Sequence, residues 1–259
     1  MAMSDPTVEF TVHANVAVLT INRQEARNAV NGDVARDMEA AIDRLEADDQ
    51  LWAGIVAAAG SVFCAGADLK AVATGRAAEI STKRGGFGGI ARRERSKPLI
   101  AAIDGPALAG GCEIALACDL IVASTRATFG IPEVKRSLIA GAGGLFRLPR
   151  ALPRNIALEL AMTGDPISAE RAYHFGMVNE LCEPGQVVER ALALAARITV
   201  NAPLAVQASR RVVLQGAQAD DEEAWRLSSS QAVPVLASED FQEGPRAFIE
   251  KRAPQWKGR

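Results

Sequence analysis

Histidine is nearly absent from this 259-residue chain, which has only His13 and His174. A Ser-His-Asp triad needs a histidine beside its nucleophile and a His-ligated metal needs several, so both chemistries are disfavoured on supply. Neither sign of charge dominates: 29 Lys plus Arg stand against 31 Asp plus Glu, for a formal net charge of −2. No global field therefore steers the chain to nucleic acid, and an anionic ligand must be held by local charges. The four cysteines, Cys64, Cys112, Cys118 and Cys182, form no C-x-x-C pair. Most sit among small apolar residues, as reduced, buried thiols of a cytosolic protein do. No apolar run reaches the roughly 20 residues that cross a bilayer, and the opening Met-Ala-Met-Ser-Asp-Pro carries no leader signal. The expectation is a cytoplasmic chain with no membrane partner. Nucleotide loops are missing too. Gly86-Phe87-Gly88-Gly89-Ile90-Ala91 has the G-x-G-x-x-A spacing, but the polar Ser81-Thr82-Lys83-Arg84 precedes it instead of a strand, and no P-loop spacing exists.

What is present is a recurring order of strand, glycine turn and helix. Residues 8–12 and 16–21 predict strands joined as a hairpin at 13–15. Asn31 is placed to cap a helix, and Val34, Met38, Ala41, Ile42 and Leu45 follow at spacings of three and four through about Asp48. Residues 54–59 form a short apolar run ending at Gly60, as in a buried strand. The order returns with a strand at 99–103, a glycine turn, a helix over 113–118 and a strand at 120–123. Such repetition predicts an α/β fold with mainly parallel pairing and crossover helices. The glycine-rich stretch 71–96 reads as a mobile helical loop of the kind that covers sites. After about Ala142, helices are predicted over 155–163, 169–175, 187–200, 203–214, 221–236 and 241–251, with one strand-like interruption at 177–182. The chain thus divides into an α/β core, 1–195, and a helical lobe, 196–259.

Two of the glycine turns bear on chemistry: Phe63-Cys64-Ala65-Gly66-Ala67-Asp68-Leu69-Lys70 and Asp104-Gly105-Pro106-Ala107-Leu108-Ala109-Gly110-Gly111-Cys112-Glu113. Each can leave backbone N–H groups free at a positive helix end, where developing negative charge is stabilised. Glu113 opens the second helix. An acid there stabilises the macrodipole by roughly 0.3 to 1 kcal/mol and needs no other purpose. Yet its neighbours at i+3 and i+4 are Leu116 and Ala117, so its face is apolar and the carboxylate points inward. Burial raises such a carboxyl's pKa while the helix end opposes the shift, which suits proton transfer. Glu133 follows in Ile131-Pro132-Glu133-Val134. Its plain reading is a solvated acid pairing with Lys135 or Arg136, but beside Glu113 it could hold one water and divide the acid and base roles. Gly141-Ala142-Gly143-Gly144 starts a helix as a tight turn or as a substrate-facing wall. The basic, aromatic-bearing end, with Phe248, Lys251, Arg252, Trp256, Lys257 and Arg259, reads as a solvated tail or as a phosphate and adenine contact.

Taken in order, the two glycine turns and Phe129-Gly130-Ile131-Pro132-Glu133-Val134 with Gly141-Ala142-Gly143-Gly144-Leu145-Phe146-Arg147-Leu148-Pro149 closely resemble the enoyl-CoA hydratase/isomerase (crotonase) family. The resemblance runs nearly end to end. It implies a crotonase-type spiral of repeated ββα units with a helical C-terminal lobe that trimerises, giving a homotrimer or a dimer of trimers. It also implies that the N–H groups of Ala67 and Gly110 form an oxyanion hole for an acyl thioester carbonyl. Glu113 then activates water and Glu133 supplies a proton to the α-carbon. Arg23, Ala26, Ala65, Asp68, Leu69 and Pro132 match positions around coenzyme A and substrate. Phe248 and Lys251 match positions that reach the CoA nucleotide of a neighbouring subunit.

The implied activity is hydration of a trans-2-enoyl-CoA thioester. A 3,2-enoyl-CoA isomerase or another hydroxyacyl-CoA dehydratase would use related groups, while the intact acid pair disfavours a non-catalytic acyl-CoA carrier or RNA-binding relative. Coenzyme A is part of the substrate, so no separate cofactor and no metal are expected. Three departures concern the site. Ala109 stands where glycine is often found, a change expected to be sterically mild. Ile139-Ala140 replaces an apolar residue and proline, and Arg136 adds charge beside Glu133; both alter the acyl pocket.

Overall fold

The computed structural model describes residues 6–259. Strands β1 (Val8–His13) and β2 (Val16–Ile21) form the expected antiparallel hairpin, with His13 opposite Val16. Asn31 caps α1 (Gly32–Ala47): its side-chain oxygen accepts from the Val34 N–H at 3.0 Å. One of the donors that a helix start leaves free is thereby satisfied. Val34, Met38, Ala41, Ile42 and Leu45 are all buried, as their spacing predicts. The chain then enters β3 (Ala53–Ala58), parallel to β2.

The stretch expected as one helical loop is built otherwise. A short α2 (Leu69–Ala73) and a 3-10 turn lead into a two-residue antiparallel ladder, β4 (Ser81–Thr82) with β5 (Gly86–Phe87). Its second half is anchored, because Glu39 and Asp43 lie four residues apart on one face of α1. Glu39 accepts from the Thr82 hydroxyl and the Gly85 N–H, Asp43 takes Arg84 and Arg93, and Ile90 and Ala91 are buried. Local glycine content suggested a helical loop; contacts supplied by a distant helix set a different path.

β6 (Leu99–Ile103) pairs parallel with β3. β7 (Ala107–Leu108) and α3 (Gly110–Ala117) follow, then β8 (Leu120–Ser124) parallel to β6, β9 (Thr128–Gly130), α4 (Gly144–Ala151), α5 (Arg154–Thr163), β10 (Ile167–Ser168), α6 (Ala169–His174) and β11 (Glu180–Cys182). The main sheet runs β1-β2-β3-β6-β8-β11 and is parallel from β2 onward, while β10, β9 and β7 form a smaller sheet. The last strand is shorter than the predicted 177–182: Met177 and Val178 are buried in the turn that precedes it.

Both faces of the main sheet are covered, as parallel strands require. Successive residues of β2 enter different cores: Ala17 and Leu19 join α1, while Val16 and Val18 face α7 (Val187–Thr199) through Val187, Ala191 and Ala195. Residue 195, where the sequence division was drawn, lies inside α7, whose buried face packs on the sheet. Beyond it, α8 (Pro203–Gly216), α9 (Asp221–Leu236) and α10 (Glu239–Glu250) bury little; α9 has no buried residue. No single helix among the described residues is long and apolar enough to cross a membrane.

Candidate active site

The two chemistry-bearing glycine turns lie side by side. Cys64 forms a bridge with Ala107, and the Leu108 N–H donates to the Cys64 carbonyl at 3.0 Å. Glycine permits this approach: a methyl on Gly111 would lie 2.1 Å from the Cys64 carbonyl oxygen, and one on Gly66 would lie 3.1 Å from the Gly110 nitrogen. The N–H groups of Ala67 and Gly110 find no acceptor among the described residues. Gly110 is the first residue of α3, so its donor adds to the positive end of the helix. Both residues line one cleft of about 1020 Å³, a volume at the upper end of what small-molecule sites usually enclose. The Phe87 ring underlies Gly110; a methyl there would come within 2.3 Å of it.

Ala109 departs from expectation. Its φ of 51° and ψ of −127° describe the first central position of a type II′ turn, a conformation that favours glycine. The substitution is mild in volume but strained in backbone.

Glu113 projects inward from the first turn of α3 and is 2% exposed. One carboxylate oxygen accepts from the Ala142 N–H at 2.7 Å and the Gly144 N–H at 2.9 Å. The loop passes close to the carboxylate: a methyl on Gly144 would meet Glu113 Oε1 at 3.2 Å. Burial pushes the Glu113 pKa above the usual carboxylate range, and nearby Glu133 adds to the rise; the two N–H donors and the Arg147 charge oppose it. The glycine run 141–144 thus cradles a carboxylate as well as starting α4.

Glu133 sits in the 3-10 turn Pro132–Arg136, half-buried, and faces the same cleft. It pairs with neither Lys135, which is held by Asp165, nor Arg136. Its Oε2 is buried with no hydrogen-bond partner among the described residues. Burial raises its pKa as well.

Arg23, Ala26, Ala65, Asp68, Leu69 and Pro132 line the cleft. Two of them bind each other: Arg23 Nη1 donates to Asp68 Oδ2 at 2.7 Å, while Asp68 Oδ1 caps α2. That pair stiffens the wall and leaves Asp68 little capacity for a ligand. Arg27, Lys70, Arg92 and Arg136 also line the cleft, with no ion-pair partner among the described residues. Phe248 and Lys251 lie on the C-terminal lobe, outside this chain's own cleft, and Phe248 is 86% exposed. The tail's other cations are largely neutralised at home: Arg252 pairs with Glu243 and Glu250, and Lys257 and Arg259 with Glu239. Cys64 and Cys112 flank the turns, but burial pushes both thiols up to about 12, which makes them packing residues and not nucleophiles.

Sequence reasoning missed Phe87 and Arg147. Phe87 was hidden in a glycine-rich stretch. Arg147 was visible only as part of a motif; a cation one turn beyond an anion-cradling glycine run was the signal for it.

The family described as enoyl-CoA hydratase/isomerase matches residues 11–259. Enoyl-CoA hydratase EchA19 of Mycobacterium tuberculosis is 39% identical, over 99% of this chain and 98% of that protein. The carnitinyl-CoA dehydratase of Proteus mirabilis is 38% identical, over 98% of this chain and 99% of that protein. Among solved structures, an enoyl-CoA hydratase from Mycobacterium tuberculosis H37Rv is similar at a TM-score of 0.95 and 46% identity, over 98% of this chain and 100% of that one. A carnitinyl-CoA hydratase from Mycobacterium avium is similar at a TM-score of 0.77 and 47% identity, over 99% and 100%.

Proposed function

The chain belongs to the enoyl-CoA hydratase/isomerase family and has its crotonase fold, and from that premise we propose that it is a hydro-lyase that adds water reversibly across the 2,3 double bond of a trans-2-enoyl-CoA. One observation carries the reading. Two N–H groups without acceptors open onto the cleft that also holds two carboxyls, one cradled by N–H donors and one with an unpartnered oxygen.

The thioester carbonyl accepts from Ala67 and Gly110. Ionised Glu113 takes a proton from water, whose oxygen bonds to the β-carbon as the π electrons move onto the carbonyl oxygen. The N–H pair stabilises that enolate, and the positive end of α3 assists. Protonated Glu133 then delivers its proton to the α-carbon, the carbonyl re-forms, and exchange with solvent restores both acids. Fixing water and enoyl group together supplies proximity. Coenzyme A enters and leaves as part of the substrate, and its phosphates find Arg27 and Lys70 at the cleft wall.

The acyl group is read from Arg136. A free guanidinium three residues beyond Glu133 repels a trimethylammonium group such as the one a carnitinyl thioester carries, which favours an uncharged or carboxylate-bearing enoyl chain. Exposed Val213, Trp225, Val233, Phe248 and Ile249 on the C-terminal helices support a trimer or a pair of trimers. In that assembly Phe248 and Lys251 meet a neighbouring subunit's nucleotide.

Loss of the conjugated enoyl-thioester absorbance when crotonyl-CoA is mixed with the protein is the expected result. Turnover of a 3-enoyl-CoA with an inert 2-enoyl-CoA would instead make the chain an isomerase, and silence on both would remove the catalytic reading.

A further inference from the structure

The loop that holds Glu113 is itself held from behind. Between the two peptides whose N–H groups donate to Glu113 lies a third, and its carbonyl, on Ala142, accepts from Arg147 Nη1 at 3.1 Å. Arg147 Nη2 donates to the Ala91 carbonyl at 2.7 Å, bridging 56 residues of sequence. Ala91 lies within the segment that Glu39 and Asp43 anchor to α1, and that segment carries Phe87, whose ring underlies Gly110. Gly143 makes room for the fork: its φ is 109°, and a methyl there would lie 2.3 Å from Arg147 Nη1. Arg147 forms no salt bridge among the described residues, and its charge acts on Glu113.

We propose that Arg147 is the positioning residue for Glu113, a fork that braces the Ala142–Gly144 cradle against the segment supporting Gly110. One side chain then sets both the reach of the carboxylate and its register with the neighbouring N–H donor. The proposal rests on reading Glu113 as the water-activating base. It needs arginine specifically, because one planar guanidinium satisfies two carbonyls on different segments and an ammonium supplies only a point charge. The ionisable groups facing Glu113 are Glu133 from the 132–136 turn, Arg147 from α4 and Cys112 on α3 itself; Arg147 in turn faces Arg95, Arg150 and Cys118.

Two variants separate geometry from charge. With crotonyl-CoA, Arg147→Lys lowers kcat about 10- to 100-fold at nearly unchanged KM, the size of effect a displaced catalytic group produces, and leaves the acid limb of the kcat profile in place. Arg147→Gln lowers kcat similarly and moves that limb to higher pH, since the charge that favours ionised Glu113 is gone. Wild-type kcat in either folded variant, or a loss seen only in KM, overturns the proposal. If the glutamine variant does not fold, the lysine variant alone decides on kcat. If the wild type itself turns over no enoyl-CoA, the hydratase reading falls and the fork is judged by titration. The carbon-13 carboxyl resonance of Glu113, identified by its loss in Glu113→Gln, must then titrate higher in Arg147→Gln than in the wild type. An unmoved titration overturns the proposal.

Discussion

The part of the chain up to Thr199 and the three helices beyond it are built on opposite terms. Before Val200 nearly every strand and long helix seals an apolar face, with Leu19, Met38, Ile42, Ile100 and Phe129 all fully buried. After it, α8 keeps only Pro203 buried and α10 only Asp240 and Ala247, while Trp225, Phe248 and Ile249 stand more than 70% exposed. Burying a large apolar side chain contributes roughly 1.5 to 3 kcal/mol. The body therefore carries most of the apolar burial of the chain, and the candidate site is built on it. The lobe leaves its large apolar side chains uncovered within the chain, the feature on which the proposed assembly rests.

The sharpest way to separate the two regions is to remove chemistry from the body. Glu113→Gln and Glu133→Gln are each expected to lower crotonyl-CoA hydration about 10²-fold or more, with sedimentation behaviour unchanged. The pH profile should fall on both sides. Activity is lost as pH drops through the raised Glu113 pKa, because the base must be ionised. It is lost as pH rises through the raised Glu133 pKa, because the acid must carry its proton. Stability follows the linkage sign. Both acids bind protons more tightly folded than unfolded, so their contribution is fully present below the unfolded carboxylate range and fades as pH climbs through the folded values. Each Gln variant should therefore melt higher than wild type at neutral pH while being slower, and a lower melting temperature would break the account of the cradle.

The next effect belongs to the lobe. Trp225→Glu with Val213→Asp should shift the sedimenting species toward monomer, while far-ultraviolet circular dichroism keeps the helical signal of the body. An assembly unmoved by both charges would mean that these helices are not the contact surface. The smallest effect is in the backbone. Ala109→Gly trades a strain of about 1 to 3 kcal/mol for the larger unfolded-state freedom of glycine, about 0.4 to 1 kcal/mol. A net gain of about 1 kcal/mol in denaturant titration is expected, and a loss would show that the Ala109 methyl makes a contact worth more than its strain.

Much of the body was legible before the structure. The three-and-four spacing of α1 and the Asn31 cap are local signals, set within one or two turns of the chain, and they appear as read. Glu113 was legible for the same reason: apolar neighbours at i+3 and i+4 can only turn the carboxylate inward. The segment 81–93 was not, because what orders it is a pair of acids on α1 more than 40 residues earlier. The strain at Ala109 also escaped, since residue type alone does not reveal a type II′ backbone.

The order of residues by itself determined which elements form and which acids sit on apolar faces, because periodicity, capping and glycine tolerance act between near neighbours. Only the tertiary structure decided that Ala67 and Gly110 line one cleft with their N–H groups unpaired, that Asp68 is spent on Arg23, and that Arg147 ties Ala91 to the cradle of Glu113. Those contacts join segments far apart in the chain, where the outcome rests on which strands lie adjacent in the sheet and how closely two backbones can pass.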